Sequence, residues 1–417
     1  MKTSDPTPVA SVEASAQPSR PPRLAIVLSH PNQYYSPWFR WLRAHTALEF
    51  RVFYLWKFGI ETMRDPQFEK TFAWDIDLLG GYESEFVPNV ARDPGTHHFR
   101  GLRNPALIAR LAAWQPGAIL LFGYAYASHL RVLAWAWCHG VPLIFRGDSH
   151  LLGRSVPPWW KKTLFRILYR QFAALTYVGA VNRDYFTALG VPEKKLFFAP
   201  HSVNHEHFDP GLAGHRAAAQ VLHAQLGLAP DTRIVLFAGK LTAAKQPREL
   251  LEAFLALDAP GTALVFVGDG EEKTALLDRA RGAAPGRVHF LPFANQSEMP
   301  ARYLLADIFA LPSRGLYETW GLAVNEAMHM GAPCLVSDLV GCQRDLVLDG
   351  ETGWVFSAGD SAHLREKLAA ALATPPAQLG KIKRAAAEKI SRYTYAQTTE
   401  GFLRALAFAA PDQTRSE

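Results

Sequence analysis

Four ionisable residues in the second half of the chain have types and spacings that suit a sugar diphosphate. Glu318 and Glu326 stand eight positions apart in LPSRGLYETWGLAVNEAMHMGAP, residues 311–333, where an apolar strand end runs into a polar loop and then a helix rich in small residues. At about 1.5 Å of rise per helical residue, the two carboxylates are separated by roughly 12 Å or less along the axis. One could meet a sugar and the other a ribose on either side of a pyrophosphate, because carboxylates accept paired hydrogen bonds from vicinal hydroxyls. Upstream, RIVLFAGKLTAAK carries an apolar strand to Gly239 and follows it with Lys240 and Lys245. Two cations there suit a diphosphate that gains charge as a glycosidic bond breaks. Taken singly, each of these residues is more often a solvated side chain. Together they occupy the carboxyl ends of predicted strands, where open α/β sheets bind ligands, and the backbone from Gly315 through Leu316 and Tyr317 to Thr319 can offer N–H groups to an anion.

The first half contributes a second polar cluster, Arg146 to His150, after the strand VPLIFR. Two readings stand side by side. Either Asp148 is the residue to test as a base, with Arg146 and His150 on the acceptor side, or Asp148 caps the next helix. Asp75 and Asp77 form an Asp-x-Asp pair, yet strand-like alternation puts both on one solvated face, and two isolated carboxylates hold a hard cation weakly. His201, His205 and His207 lie in a loop without a helix-borne ligand pair. No metal is expected.

The elements that must position these residues follow from periodicity. After a polar segment over 1–22, read as a disordered tail, RLAIVLSH is a buried strand and PNQYYSPWFRWLRAH a loop entering a helix with Ser36 as its N-cap. Strands and helices then alternate with short loops, which predicts doubly wound parallel sheets. At 417 residues the chain is long enough for two such domains. We place them at 23–204 and 205–390, with 391–411 a closing helix.

The stretch around Glu318, with Trp320, Gly321, Glu326, Ala327 and Met328, resembles the donor-site signature of family 4 retaining glycosyltransferases. The resemblance is dense from about Val235 to Phe356 and topological before Pro200. It implies the GT-B fold, two Rossmann-like domains facing a cleft with the C-terminal helix crossing back. It also implies transfer of a sugar, with retention, from a nucleoside diphosphate sugar to a hydroxyl acceptor in glycan or glycolipid synthesis. Residue by residue, it implies that Glu318 orients the sugar and Glu326 the ribose. Lys240, at a position usually held by arginine, and Lys245 would stabilise the diphosphate. Phe293 and Ala294 would meet the base, and Gly239 and Gly268 would line the cleft. The family usually has a glycine pair in the first loop, where this chain has Gln33, Tyr34 and Tyr35; Tyr35 is taken as an acceptor-side candidate.

Composition bounds the alternatives. Lys and Arg number 44 against 38 Asp and Glu, a net +6, which suits an anionic partner, and no nucleic-acid-binding signature appears. No apolar run reaches the ~18 residues of a membrane span. Three cysteines without metal spacing fit a reducing cytoplasm. The helix PPWWKKTLFRILYRQF, residues 157–172, sets Trp160, Leu164, Ile167 and Leu168 on one face and Lys162, Arg166 and Arg170 on another. It is either a surface helix packed on its own sheet or a peripheral contact with an anionic inner membrane face. Two other functions remain: a sugar-nucleotide epimerase or hydrolase of the same fold, and a catalytically silent carbohydrate-binding protein.

Overall fold

The computed structural model describes residues 23–411 apart from 61–62, 66–69, 156 and 315–317. The expected tail over 1–22 lies outside the described residues, as do the site candidates Gly315, Leu316 and Tyr317.

Strands β1 (Leu24–Leu28), β2 (Phe50–Tyr54), β5 (Ser84–Phe86), β6 (Ala118–Phe122), β7 (Leu143–Arg146), β8 (Ala174–Tyr177) and β9 (Leu196–Phe198) form one sheet in the order β5-β2-β1-β6-β7-β8-β9. A short ribbon, β3 (Met63–Asp65) with β4 (Lys70–Phe72), stands apart from it. The second sheet is β12-β11-β10-β13-β14-β15, from β10 (Arg233–Ala238), β11 (Thr262–Val267), β12 (Val288–Leu291), β13 (Ile308–Leu311), β14 (Cys334–Ser337) and β15 (Gly353–Phe356). Every pairing in both sheets is parallel. That is why LAIVL of β1 and ALVFV of β11, after its first residue Thr262, are apolar and wholly buried, since helices cover both faces.

Strand order reverses beside β1 and again beside β10, so each sheet has a switch point where loops diverge and leave a crevice. The loops after β1, β10 and β13 open into one cleft between the domains.

Local details correct three expectations. Ser36 is not the N-cap. It is buried inside the Tyr35–His45 helix, and Asn32 Oδ1 instead accepts from the amides of Tyr34 and Tyr35 at 3.1 and 2.9 Å. Asp75 and Asp77 lie in bends, not a strand, and each is used by protein: Asp75 accepts from the Ser297 amide, while Asp77 accepts from Leu79 and Gly80 amides. The basic helix, Trp159–Arg170, turns Trp160, Leu164 and Ile167 outward and keeps Leu168 partly buried, so the predicted apolar face does not pack on the sheet.

The last helix, Tyr395–Ala409, packs on the first sheet. Phe402, Ala405 and Leu406 join the core of β1, β2 and the Tyr35–His45 helix, Thr399 Oγ1 accepts from Trp38 Nε1 at 3.0 Å, and Thr398 Oγ1 donates to the Pro200 carbonyl at 2.8 Å.

Candidate active site

The cleft, of about 390 Å³, is of a size that holds a small organic ligand, and its two walls come from different sheets. β10 and β11 reach it through Gly239 and Gly268. A Cβ on Gly268, whose φ is +141°, would stand 2.0 Å from the Gly239 carbonyl oxygen, so glycine is what lets these strand ends close on each other. Gly321, at φ +96°, turns the β13 loop into the Leu322–His329 helix, and a Cβ there would meet Val340 at 2.8 Å.

That loop and helix carry both glutamates. The Glu318 carboxylate takes the Lys245 ammonium as its ion-pair partner and accepts from Ser313 Oγ at 2.8 Å, while its carbonyl accepts from the Gly341 amide at 3.1 Å. Lys245 thus fixes the carboxylate and sets a cation beside it. Lys240 lines the same wall. Trp320 is buried and anchors the loop, donating from Nε1 to Asn325 Oδ1 at 2.8 Å; Asn325 in turn donates to the His201 carbonyl at 3.2 Å in the interdomain segment.

Glu326 is buried in the helix, where Tyr303 donates to its Oε2 at 2.7 Å and Oε1 has no hydrogen-bond partner among the described residues. Burial pushes this carboxyl up to about 7, an effect that the polar ends of Tyr303, Tyr34 and Gln296 offset only in part. An acceptor oxygen left over at the cleft wall is the chemistry expected of a group awaiting a hydroxyl donor. Phe293 and Ala294 also line the cleft, at the Glu326 end with Gln296 and Met299.

From the first domain, Asp148 lines the cleft and accepts from Thr319 Oγ1 at 2.8 Å, which joins the two walls; it does not cap a helix. Its Oδ2 is 3.5 Å from His201 Nε2. Burial works to raise the Asp148 carboxyl, but His201 and Thr319 outweigh it and hold it at about 2. Burial also lowers the His201 imidazole, against the opposing pull of the Asp148 carboxylate. His150, likewise buried, accepts the Leu152 amide at Nδ1 and points Nε2 at the Glu318 carbonyl, 3.3 Å away. It braces the loop.

Two acceptor-side candidates lie elsewhere. Arg146 is 2% exposed, and its guanidinium donates to the Ala199 and Pro200 carbonyls at 2.9 and 3.4 Å beneath the Tyr35 and Trp38 rings. At the carboxyl end of β7, the two terminal nitrogens of Arg146 are spent on these carbonyls, while Nε has no hydrogen-bond partner among the described residues. Tyr35 packs on Phe122 with ring centroids 4.6 Å apart; the lining tyrosine is its neighbour Tyr34, accompanied by Gln33 and Trp74. Sequence reasoning missed Trp74, Gln296, Met299 and Tyr303. Trp74 is brought to the cleft from the first domain, whereas Gln296, Met299 and Tyr303 reach it beside Glu326, and none carries a spacing signal in the sequence.

His205 and His207 diverge from His201, His207 Nε2 facing the Gln296 carbonyl at 2.8 Å. Among the described residues the potential metal-ligand cluster is Asp93, His97 and His98, none of which lines the cleft. Cys138 is exposed and Cys334 and Cys342 are buried, all as free thiols.

Residues 219–392, which carry the glutamates, lysines and glycines of this wall, match the family described as glycosyl transferases group 1. The D-inositol 3-phosphate glycosyltransferase of Mycobacterium avium is 32% identical over 197 residues, 46% of this chain and 44% of that protein. Its counterpart in Nocardia farcinica is 33% identical over 206 residues, 47% and 44% of the two chains. The match thus spans less than half the length of these curated relatives. Over the whole chain the likeness is one of fold. A glycosyltransferase of Rickettsia africae superposes with a TM-score of 0.71 at 12% identity, covering 95% of this chain and 99% of the other. HepE of Anabaena, crystallised with UDP and glucose, gives 0.67 at 16%, covering 93% and 99%. The described residues have the GT-B architecture, and the match to group 1 glycosyl transferases falls in the second half.

Proposed function

We propose that the protein transfers a glycosyl group from a nucleoside diphosphate sugar to a hydroxyl acceptor. The observation that carries this reading is the pairing, in one cleft wall, of a Lys245-braced Glu318 with a buried Glu326 whose Oε1 has no hydrogen-bond partner among the described residues. Glu318 orients the donor sugar and Glu326 accepts from the ribose. Lys240, Lys245 and the loop amides ahead of the Leu322–His329 helix stabilise the leaving diphosphate as its charge grows, a task that needs no metal ion. Phe293 and Ala294 flank the base. Transfer proceeds with retention, an oxygen of the leaving diphosphate taking the acceptor proton on the face it leaves; Asp148, which stays ionised, positions Thr319 and the acceptor. UDP is the first nucleotide to try, since HepE was crystallised with UDP and with UDP-glucose. The M. avium and N. farcinica relatives' names point to a phosphorylated polyol as one acceptor class; the net positive charge of this chain suits an anionic acceptor of a cell-surface glycan or glycolipid equally.

A thermal-shift panel of UDP, GDP, ADP and their sugars, on wild type and Glu326→Ala with and without a chelator, tests the donor site. A site saturated a hundredfold over its Kd gains about 2.7 kcal/mol. The expected result is a shift with one nucleotide, insensitive to chelation and lost in the variant. No shift with any nucleotide overturns the reading, and loss on chelation overturns its metal independence. Anomeric analysis of the product of turnover then tests retention.

A further inference from the structure

The Trp159–Arg170 helix shows water its apolar side. At 100° per residue, Phe165 and Tyr169 point into the first-domain core, where Tyr169 is 2% exposed and Phe165 and Leu168 pack against the same cluster. The opposite stripe is Trp160, Leu164 and Ile167, which are 48%, 59% and 53% exposed, and Trp159 at the helix start is 79% exposed. A contiguous apolar stripe left on the outside marks an interaction surface.

The fringe of the stripe says what kind. Arg166 and Arg170 border it on one side and Lys161 on the other, the Lys161 ammonium lying 5.3 Å from the Trp160 ring. With Lys162 the helix holds four cations and no acid. An apolar ridge between two positive margins, with tryptophans at one end, matches the layered chemistry of a lipid surface: acyl chains under the ridge, phosphates at the margins, and an interface level where indole rings settle. We propose that this helix docks the protein on an anionic lipid surface, lying in the headgroup plane with Trp160, Leu164 and Ile167 inserted. No helix of the described residues is long and apolar enough to cross a membrane, so the attachment is peripheral. The helix follows β7 through the loop that bears Asp148 and His150, so the docked face and the first-domain wall of the cleft belong to one stretch of chain. The inference does not depend on the reaction proposed above.

Flotation of the full chain with vesicles of phosphatidylcholine, alone or mixed with phosphatidylglycerol, tests it. The chain is expected to float with the mixed vesicles only, and less as salt rises. Leu164→Glu with Ile167→Glu abolishes flotation while leaving the thermal transition in place, because both side chains are exposed in the folded protein. Arg166→Gln and Arg170→Gln each weaken partition about fivefold. Equal flotation of the glutamate variant, or equal binding to neutral vesicles, overturns the proposal. So does a wild-type dimer that ignores vesicles and becomes monomeric in that variant by sedimentation velocity, which makes the stripe a contact between copies.

Discussion

The two walls of the cleft are built from sheets of the same kind and differ in what their switch points hold. The second-domain wall presents Lys240, Lys245, Glu318 and Glu326, with Glu318 paired to Lys245 and Glu326 accepting from Tyr303 within that domain. The first-domain wall presents Gln33, Tyr34, Trp74 and Asp148, a mostly aromatic and amide surface with one carboxylate. One fold therefore supplies a rigid electrostatic template on one side and an adaptable recognition surface on the other. The Lys245–Glu318 pair is in place before any ligand arrives, which is the preorganisation that the proposed stabilisation of a leaving diphosphate calls for.

The comparison breaks most visibly at the second wall. Lys245→Ala removes the cation that holds Glu318 and is expected to lower kcat by about 10²–10³-fold, measured under donor saturation. A loss below tenfold would make the Lys245 pair structural.

Glu326 gives the next effect, with a pH signature. Its folded carboxyl titrates near 7 against an ordinary 4.5, so the folded chain keeps a proton that the unfolded chain has released. Stability therefore falls as pH rises from about 4.5 to 7, and the full penalty is present above 7. Glu326→Gln raises stability relative to wild type at pH 8 but not at pH 4, by up to about 3 kcal/mol, read as a higher Tm at pH 8 only. Ribose hydroxyls that donate to the carboxylate favour its ionised form, so nucleotide affinity of the wild type tightens with pH up to about 7 and then levels. Calorimetry across pH 5 to 8 shows this slope, and the glutamine variant loses both the slope and most of the affinity.

These second-wall residues were the legible ones. Glu318, Trp320, Gly321 and Glu326 lie within nine positions of each other and announce a strand, loop and helix. Spacing along one element survives in sequence. The Asp148, Thr319 and His201 contact does not, because its members come from three segments brought together only by domain apposition. Tyr303, which carried no sequence signal, is both core and site. Periodicity placed a helix with two stripes at 157–172, but the stripe of Phe165 and Tyr169 took the inside because β7 and its neighbours offered those rings a fitted aromatic cluster. Asp75 read as solvated and is exposed, but it also ties the two domains, a role set by a partner more than two hundred residues away.

The first wall sharpens the comparison with smaller effects. Trp74→Ala is expected to raise acceptor KM roughly tenfold, while donor affinity by thermal shift stays unchanged. A matching loss of donor affinity would mean that the walls share one job. Smallest is Asp75→Ala, which removes an exposed tie to Ser297 at the far rim and is worth at most about 1 kcal/mol. Small-angle scattering should show a modest shift toward an open arrangement, with kcat changed more than donor affinity.

The course of the last helix has a mechanical consequence. Because Tyr395–Ala409 returns to the first sheet, the backbone passes between the domains twice, and Thr398 bonds both the Pro200 carbonyl and the Ser202 hydroxyl of the other crossing. Two pins side by side define a hinge line, where a single linker would leave a swivel. The halves can swing open and shut about that line but cannot twist or drift past each other. Each closure therefore returns Glu318 and Asp148 to the same registry, and precision in the assembled cleft is a property of how the chain is threaded as much as of any side chain in it.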